Sequence, residues 1–150
     1  MFREEGNSDF VLRNFPKAAN AYKRALIYLD YSFGETEEQE SVLDEERFKC
    51  HINSAAVMLE LEEYTKTVNE CRLALSIKPD SVKAYFRRGT AQTKLGNYSE
   101  AKSDLDRANS LTADRDLLKS IAKALTDLER TIADYEARFR SIAEAALDIH

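Results

Sequence analysis

Glycine and proline are scarce in this chain, four and two residues in 150, and runs of β-branched residues are almost absent. Neither a loop-rich nor a strand-rich architecture fits such a composition. Cys50 and Cys71 are too few for a disulfide framework and lack the spacing of metal ligands. They read as small apolar residues in a reducing compartment. His51 and His150, the only histidines, form no nucleophile or metal set with them, because adjacent residues such as Cys50 and His51 leave a helix on different sides. The glycines are isolated, so no phosphate-cradling loop is present. These absences argue against an enzyme, and neither a cofactor nor a metal is expected. No apolar run approaches the roughly 20 residues of a membrane span. The opening "MFREEGNSDF" lacks the apolar centre of a signal peptide. A net charge of −5 and a pI near 5.2 provide no field for nucleic acid. A cytoplasmic protein that neither spans a membrane nor binds nucleic acid is expected.

What dominates instead is Ala, Leu, Glu, Lys and Arg, residues that lose little on entering a helix. The fold class is therefore all-α, and 150 residues suffice to bury a core. Three segments align when Gly6, Ala55 and Gly89 share a column. Phe15, Tyr64 and Tyr98 then coincide, as do Ala18, Thr67 and Ala101. Tyr22, Cys71 and Leu105 form a fourth column, and Ala25, Ala74 and Ala108 a fifth. The later pair of segments is offset by 34 residues and the earlier pair by 49, which is 34 plus an insertion of 15. The small residue marks where the first helix of a pair presses on the second, and the aromatic seals the elbow. Such a unit cannot bury its apolar face alone and must stack.

This pattern, strongest in "AYFRRGTAQTKLGNYSEAKSDLDRA", resembles the tetratricopeptide repeat (TPR) family. The resemblance implies three helix-turn-helix repeats over residues 1–113, in a short right-handed solenoid, with an insertion at 31–46. The insertion is acidic, with Glu35, Glu37, Glu38, Glu40, Asp44, Glu45 and Glu46 followed by the single cation Arg47. Two readings stay open for it: a solvated loop with an extra helical turn, or a docking surface for a basic partner.

Residues 114–150 form a separate C-terminal extended helix in this reading. Leu118, Ile121, Leu125, Leu128, Ile132, Tyr135, Phe139, Ile142, Ala146 and Ile149 recur in steps of three and four. A helix over 114–148 would be roughly 50 Å long at 1.5 Å per residue. Its first half is expected to cap the last repeat. From Tyr135 onward it either stays packed by curving or exposes its stripe to a partner helix or a second copy through 135–149.

Lys83 and Arg87 stand one turn apart in "VKAYFRRGTAQTKLGNY", a like-charge pair that weakens a helix unless something neutralises it. Repeats of this kind line a concave groove with their first helices. Arg3 and Asn7, Asn53, and Lys83 and Arg87 fall in register on three such helices. With three cations, two amides and no carboxylate among them, these five would form a donor-only pocket suited to a ligand with two carboxylates. The spacing resembles the two-carboxylate clamp of co-chaperone TPR domains. That resemblance implies the C-terminal Glu-Glu-Val-Asp tail of heat-shock protein 90 or 70 as partner. By the same analogy Asn7 and Asn53, with Arg3, would hold the terminal carboxylate. Lys83 would pair with the Asp side chain, and Arg87 would reach that side chain or the upstream peptide. Arg3 stands where the family usually has Lys, which keeps the charge and alters the reach. Phe10 and Leu59 are expected to grip the peptide upstream, with ordinary packing as the alternative, and Thr90 and Lys94 to continue the face.

Within the family, "ALIYLDYSFGETEEQE" followed by "CHINSAAVMLELEEY" is most similar to FKBP-type immunophilins, in which a prolyl isomerase domain precedes the repeats. An isomerase or other catalytic domain could therefore lie outside this chain. Some members bind calmodulin through the final helix. Residues 117–150 hold five cations and six acids here, which is unlike a basic calmodulin target. The rival reading of the whole chain is a structural scaffold that acts through its last helix.

Overall fold

A computed structural model describes residues 1–148; Ile149 of the heptad stripe and His150 lie outside the described residues. Seven helices follow one another: α1 (Phe2–Val11), α2 (Phe15–Asp30), α3 (Glu37–Glu60), α4 (Tyr64–Ile77), α5 (Val82–Leu95), α6 (Tyr98–Leu111) and α7 (Arg115–Asp148). Each helix packs on the next in sequence. In addition α1 touches α3, α3 touches α5 and α5 touches α7, so these four share one wall of the stack. No described helix is long and apolar enough to cross a membrane.

The three hairpins turn alike. Phe15, Tyr64 and Tyr98 each open the second helix of a pair. Just before them Arg13, Glu62 and Gly96 take positive φ values of 60°, 57° and 80°. The following amide bonds back to the carbonyl five positions earlier: Asn14 to Asp9, Glu63 to Met58 and Asn97 to Gln92, at 2.8, 2.8 and 2.9 Å. This is the left-handed helix ending that glycine favours, and two of the three turns make it without glycine.

The column of small residues meets a column of larger ones. A Cβ on Gly6 would lie 2.6 Å from the Tyr22 ring, and one on Gly89 would lie 2.7 Å from Leu105 Cγ. In the middle repeat the opposing residue is the smaller Cys71, and there Ala55 carries its Cβ inside the same buried cluster. Ala18, Thr67 and Ala101 are fully buried, and Ala25, Ala74 and Ala108 nearly or fully so. Cys50 and Cys71 are free and buried. Burial pushes their thiols up to about 11 and about 12, so both stay protonated.

Most of the insertion is helix. Thr36 caps α3 by accepting from Gln39 N at 3.2 Å, and only residues 31–36 remain as a loop. Arg47 fastens that loop, donating to Leu29 O at 3.1 Å, Ser32 O at 2.9 Å, Glu40 at 2.9 Å and Asp44 at 2.8 Å. Glu45 pairs with Lys78 at 2.6 Å, and Glu46 is paired as well. Much of the acidic run is thus neutralised within the chain.

The first half of α7 closes the stack. Ile121 and Leu128 are fully buried, and Ala124, Leu125 and Ile132 pack with Tyr98, Phe86, Leu105 and Ala101. Tyr135 makes the last contact, edge-on to Tyr98 at 5.9 Å between ring centres. Every described residue after Ile132 is exposed, with Phe139 at 66% and Ile142 at 69%. The helix outruns its wall, and the curving alternative does not hold.

Candidate functional site

A cavity of about 350 Å³ opens where α1, α3 and α5 meet. Asn7, Phe10 and Tyr22 of the first hairpin line it, with Asn53 and Ala56 of α3 and Arg87 of α5. Three of the five expected clamp residues, from three different helices, therefore share one cavity.

Its polar atoms are fixed by their neighbours. Asn7 Oδ1 accepts from Tyr22 Oη at 2.5 Å and from Asn53 Nδ2 at 3.0 Å. With its oxygen engaged by two donors, the Asn7 amide is oriented so that its NH₂ group remains free to donate. Arg87 Nη1 donates to the Ile52 carbonyl at 2.8 Å. No carboxylate among the described residues pairs with this guanidinium. Burial lowers its pKa from the ordinary value, the mark of a cation held away from water without a counter-charge. Its neighbour Arg88 behaves oppositely, binding buried Asp104 through two bonds of 2.8 and 2.7 Å. Consecutive arginines thus serve the cavity and the framework respectively.

Lys83 lies one turn before Arg87, exposed and in no ion pair among the described residues. It is not part of the cavity wall. Phe10 lines the cavity and also packs edge-on to Phe15 at 5.5 Å.

The other expected residues stand outside this cavity. Arg3 is not a free donor: its Nε and Nη2 donate to Glu46 at 2.8 and 3.3 Å. It lines, with Glu46 and Cys50, a separate cavity of about 520 Å³ against α2. Leu59 is absent from the wall, because six residues beyond Asn53 is most of two turns and faces elsewhere. Ala56, three beyond, is there instead. Thr90 and Lys94 line a third cavity of about 480 Å³, shared with Ala124, Asp127, Arg130 and Thr131 of α7.

Sequence reasoning missed Tyr22, Ala56 and Glu46. Tyr22 had a signal, since its column otherwise holds the non-hydrogen-bonding Cys71 and Leu105.

The wall of first helices and the repeated hairpin geometry decide the fold. The chain is a tetratricopeptide repeat domain. No family model matches it. Among curated relatives, it is 27% identical to the peptidyl-prolyl cis-trans isomerase FKBP42 of Arabidopsis thaliana, over 85% of this chain and 36% of that protein. It is 32% identical to the Hsp70/Hsp90 co-chaperone CNS1 of Saccharomyces cerevisiae, over 89% of this chain and 35% of that protein. The chain thus spans about a third of the length of these relatives. Among solved structures, the Arabidopsis OM64 TPR domain superposes with a TM-score of 0.65 at 28% identity, covering 86% of this chain and 92% of that one. The first TPR domain of Spaghetti (RPAP3), bound to the Hsp90 peptide SRMEEVD, superposes at 0.58 with 25% identity, covering 83% and 90%. Domains of this kind are interaction modules rather than catalysts, and this TPR domain is built as one.

Proposed function

We propose that this TPR domain is a cytoplasmic co-chaperone adaptor that binds the acidic C-terminal tail of heat-shock protein 90 or 70. The observation that carries the reading is Arg87: a half-buried guanidinium beside two amides, on the wall of an open cavity, with a backbone carbonyl as its partner. A carboxylate seated there would supply the missing charge and accept from Arg87, Asn7 and Asn53. Lys83, one turn away and exposed, would reach a second carboxylate of the same terminal residue. Phe10 and Ala56 would meet the aliphatic side chain before it. Support also comes from the solved neighbour that holds an Hsp90 tail peptide and from the co-chaperone relative.

Titration with the two chaperone tail peptides side by side tests this. Micromolar affinity, about −8 kcal/mol, is expected for the preferred tail. Lys83→Ala and Arg87→Ala should each weaken it about tenfold or more with helical content unchanged. Unchanged affinity in both variants would defeat the clamp.

A second activity is favoured by the uncovered stripe of α7, with Tyr135, Phe139 and Ile142 exposed at 56%, 66% and 69%. Such a stripe suits a partner helix or a second copy. Truncation after Glu136 should leave tail binding intact and remove any self-association seen by sedimentation. A full chain that stays monomeric at high concentration rules out the homodimer.

A further inference from the structure

Arg3 and Asn7 are one turn apart on α1, yet they serve different cavities. Asn7 opens on the cavity shared with Asn53 and Arg87. Arg3 opens on the one beside α2, held there by Glu46. The grip is side-on: Nε and Nη2 each meet one oxygen of the same carboxylate, at 2.8 and 3.3 Å. That is the arrangement in which a guanidinium receives a ligand carboxylate. Lys49 Nζ stands 3.7 Å from the same group, and the Arg3 guanidinium holds the Glu46 carboxyl below its ordinary range.

Glu46 owes its place to the insertion, whose last residue it is. The insertion lengthens α3 at its N-terminal end, and Arg47 pins that extension to Leu29, Ser32, Glu40 and Asp44. The acid is therefore presented on a braced helix rather than on a loose loop. Both partners remain partly open to water, at 24% for the Arg3 side chain and 35% for Glu46, so the contact can be exchanged.

We infer that Glu46 is an intramolecular stand-in for a ligand carboxylate, occupying Arg3 in the free domain and setting a threshold that an incoming acidic tail must exceed. The inference rests on the tail-binding reading above and adds to it a specificity-determining residue. A ligand with one carboxylate can satisfy Arg87 and the two asparagines and leave Arg3 with Glu46. A tail with closely spaced carboxylates can displace Glu46 and recruit Arg3 as well. The pair thus biases the site toward ligands of high charge density.

The test is calorimetric titration of the full chain with the free-acid peptide SRMEEVD, using wild type, Arg87→Ala, Glu46→Gln, Arg3→Ala and the Arg3→Ala/Glu46→Gln pair. Glu46→Gln should bind about two- to fivefold more tightly, the scale of a partly exposed ion pair. Its affinity should also fall more steeply with salt. Arg3→Ala should cost more affinity in the Glu46→Gln background than in wild type, a coupling that a purely structural pair would not produce. If wild type binds, Arg87→Ala does not, and Glu46→Gln binds equally or more weakly, the stand-in role is wrong while tail binding holds. If neither wild type nor Glu46→Gln binds, both readings fall.

Discussion

Replacing Arg87 with methionine should make the domain more stable and less able to bind. The Arg87 guanidinium is half-buried, its charge disfavoured by that burial, and its protein partner is the Ile52 carbonyl. That carbonyl lies in the middle of α3, where the helix ladder already uses it, so removing the arginine orphans no acceptor. Methionine keeps the apolar stem and needs no partner. Substituting a half-buried, uncompensated charge by an apolar side chain of similar length should gain about 1 kcal/mol. In a domain of this size about 1 kcal/mol raises the melting temperature by roughly 2–4 °C. Arg88→Met is the control, since Arg88 holds Asp104, which is 6% exposed. Losing it strands a buried carboxylate and should cost about 3–5 kcal/mol. Urea denaturation of both variants, with peptide titration of the first, reads the two effects. An Arg87→Met variant that melts lower than wild type, or binds a tail peptide as tightly, would refute the assignment of Arg87 to ligand rather than framework.

Gly89→Ala places a Cβ 2.7 Å from Leu105 Cγ and should cost about 1–3 kcal/mol by overpacking. Combining it with Leu105→Cys should recover part of that loss, because Ala55 faces Cys71 in the middle repeat; strictly additive denaturation energies would disprove the pairing. Glu62→Gly relieves a side chain held at φ 57° and should stabilise by about 0.5–1 kcal/mol after glycine's own entropy is counted. Glu46 is held below its ordinary 4.5 by the Arg3 hydrogen bond. A depressed folded-state value means that its stabilisation is present above pH 4.5 and fades as the pH falls through the lower folded value. Denaturation profiles between pH 5 and 3 should therefore be flatter for Glu46→Gln than for wild type.

The repeat architecture was legible because it is written in steric pairs. Gly6 with Tyr22, Ala55 with Cys71 and Gly89 with Leu105 trade volume across one interface, and that trade leaves a periodic trace in the sequence. The hairpin turns were only half legible: Gly96 announces a left-handed residue, whereas Arg13 and Glu62 adopt the same conformation under tertiary constraint. Within the candidate site, Asn53 and Arg87 could be found because they occupy equivalent positions on two first helices, and Asn7 because it stands one turn from Arg3 on the remaining one. Leu59 lies outside the cavity because a six-residue step from Asn53 does not return to the same helical face. The Arg3–Glu46 pair was not legible because its members stand 43 residues apart and Glu46 comes from an insertion that breaks the repeat register. Tyr22 went unnoticed because one ring both fills the core and, through its hydroxyl, orients Asn7. The overhang of α7 depended on how far the wall of three hairpins extends, which the heptad stripe does not encode.

The most direct test of the central claim is binding of SRMEEVD with a free terminus against the same peptide carrying a terminal amide. The free acid should bind with micromolar affinity and the amide should not bind measurably, since amidation removes one of the two carboxylates on the last residue. Equal affinity for the two peptides would contradict a cavity in which Arg87, Asn7 and Asn53 receive a chain terminus.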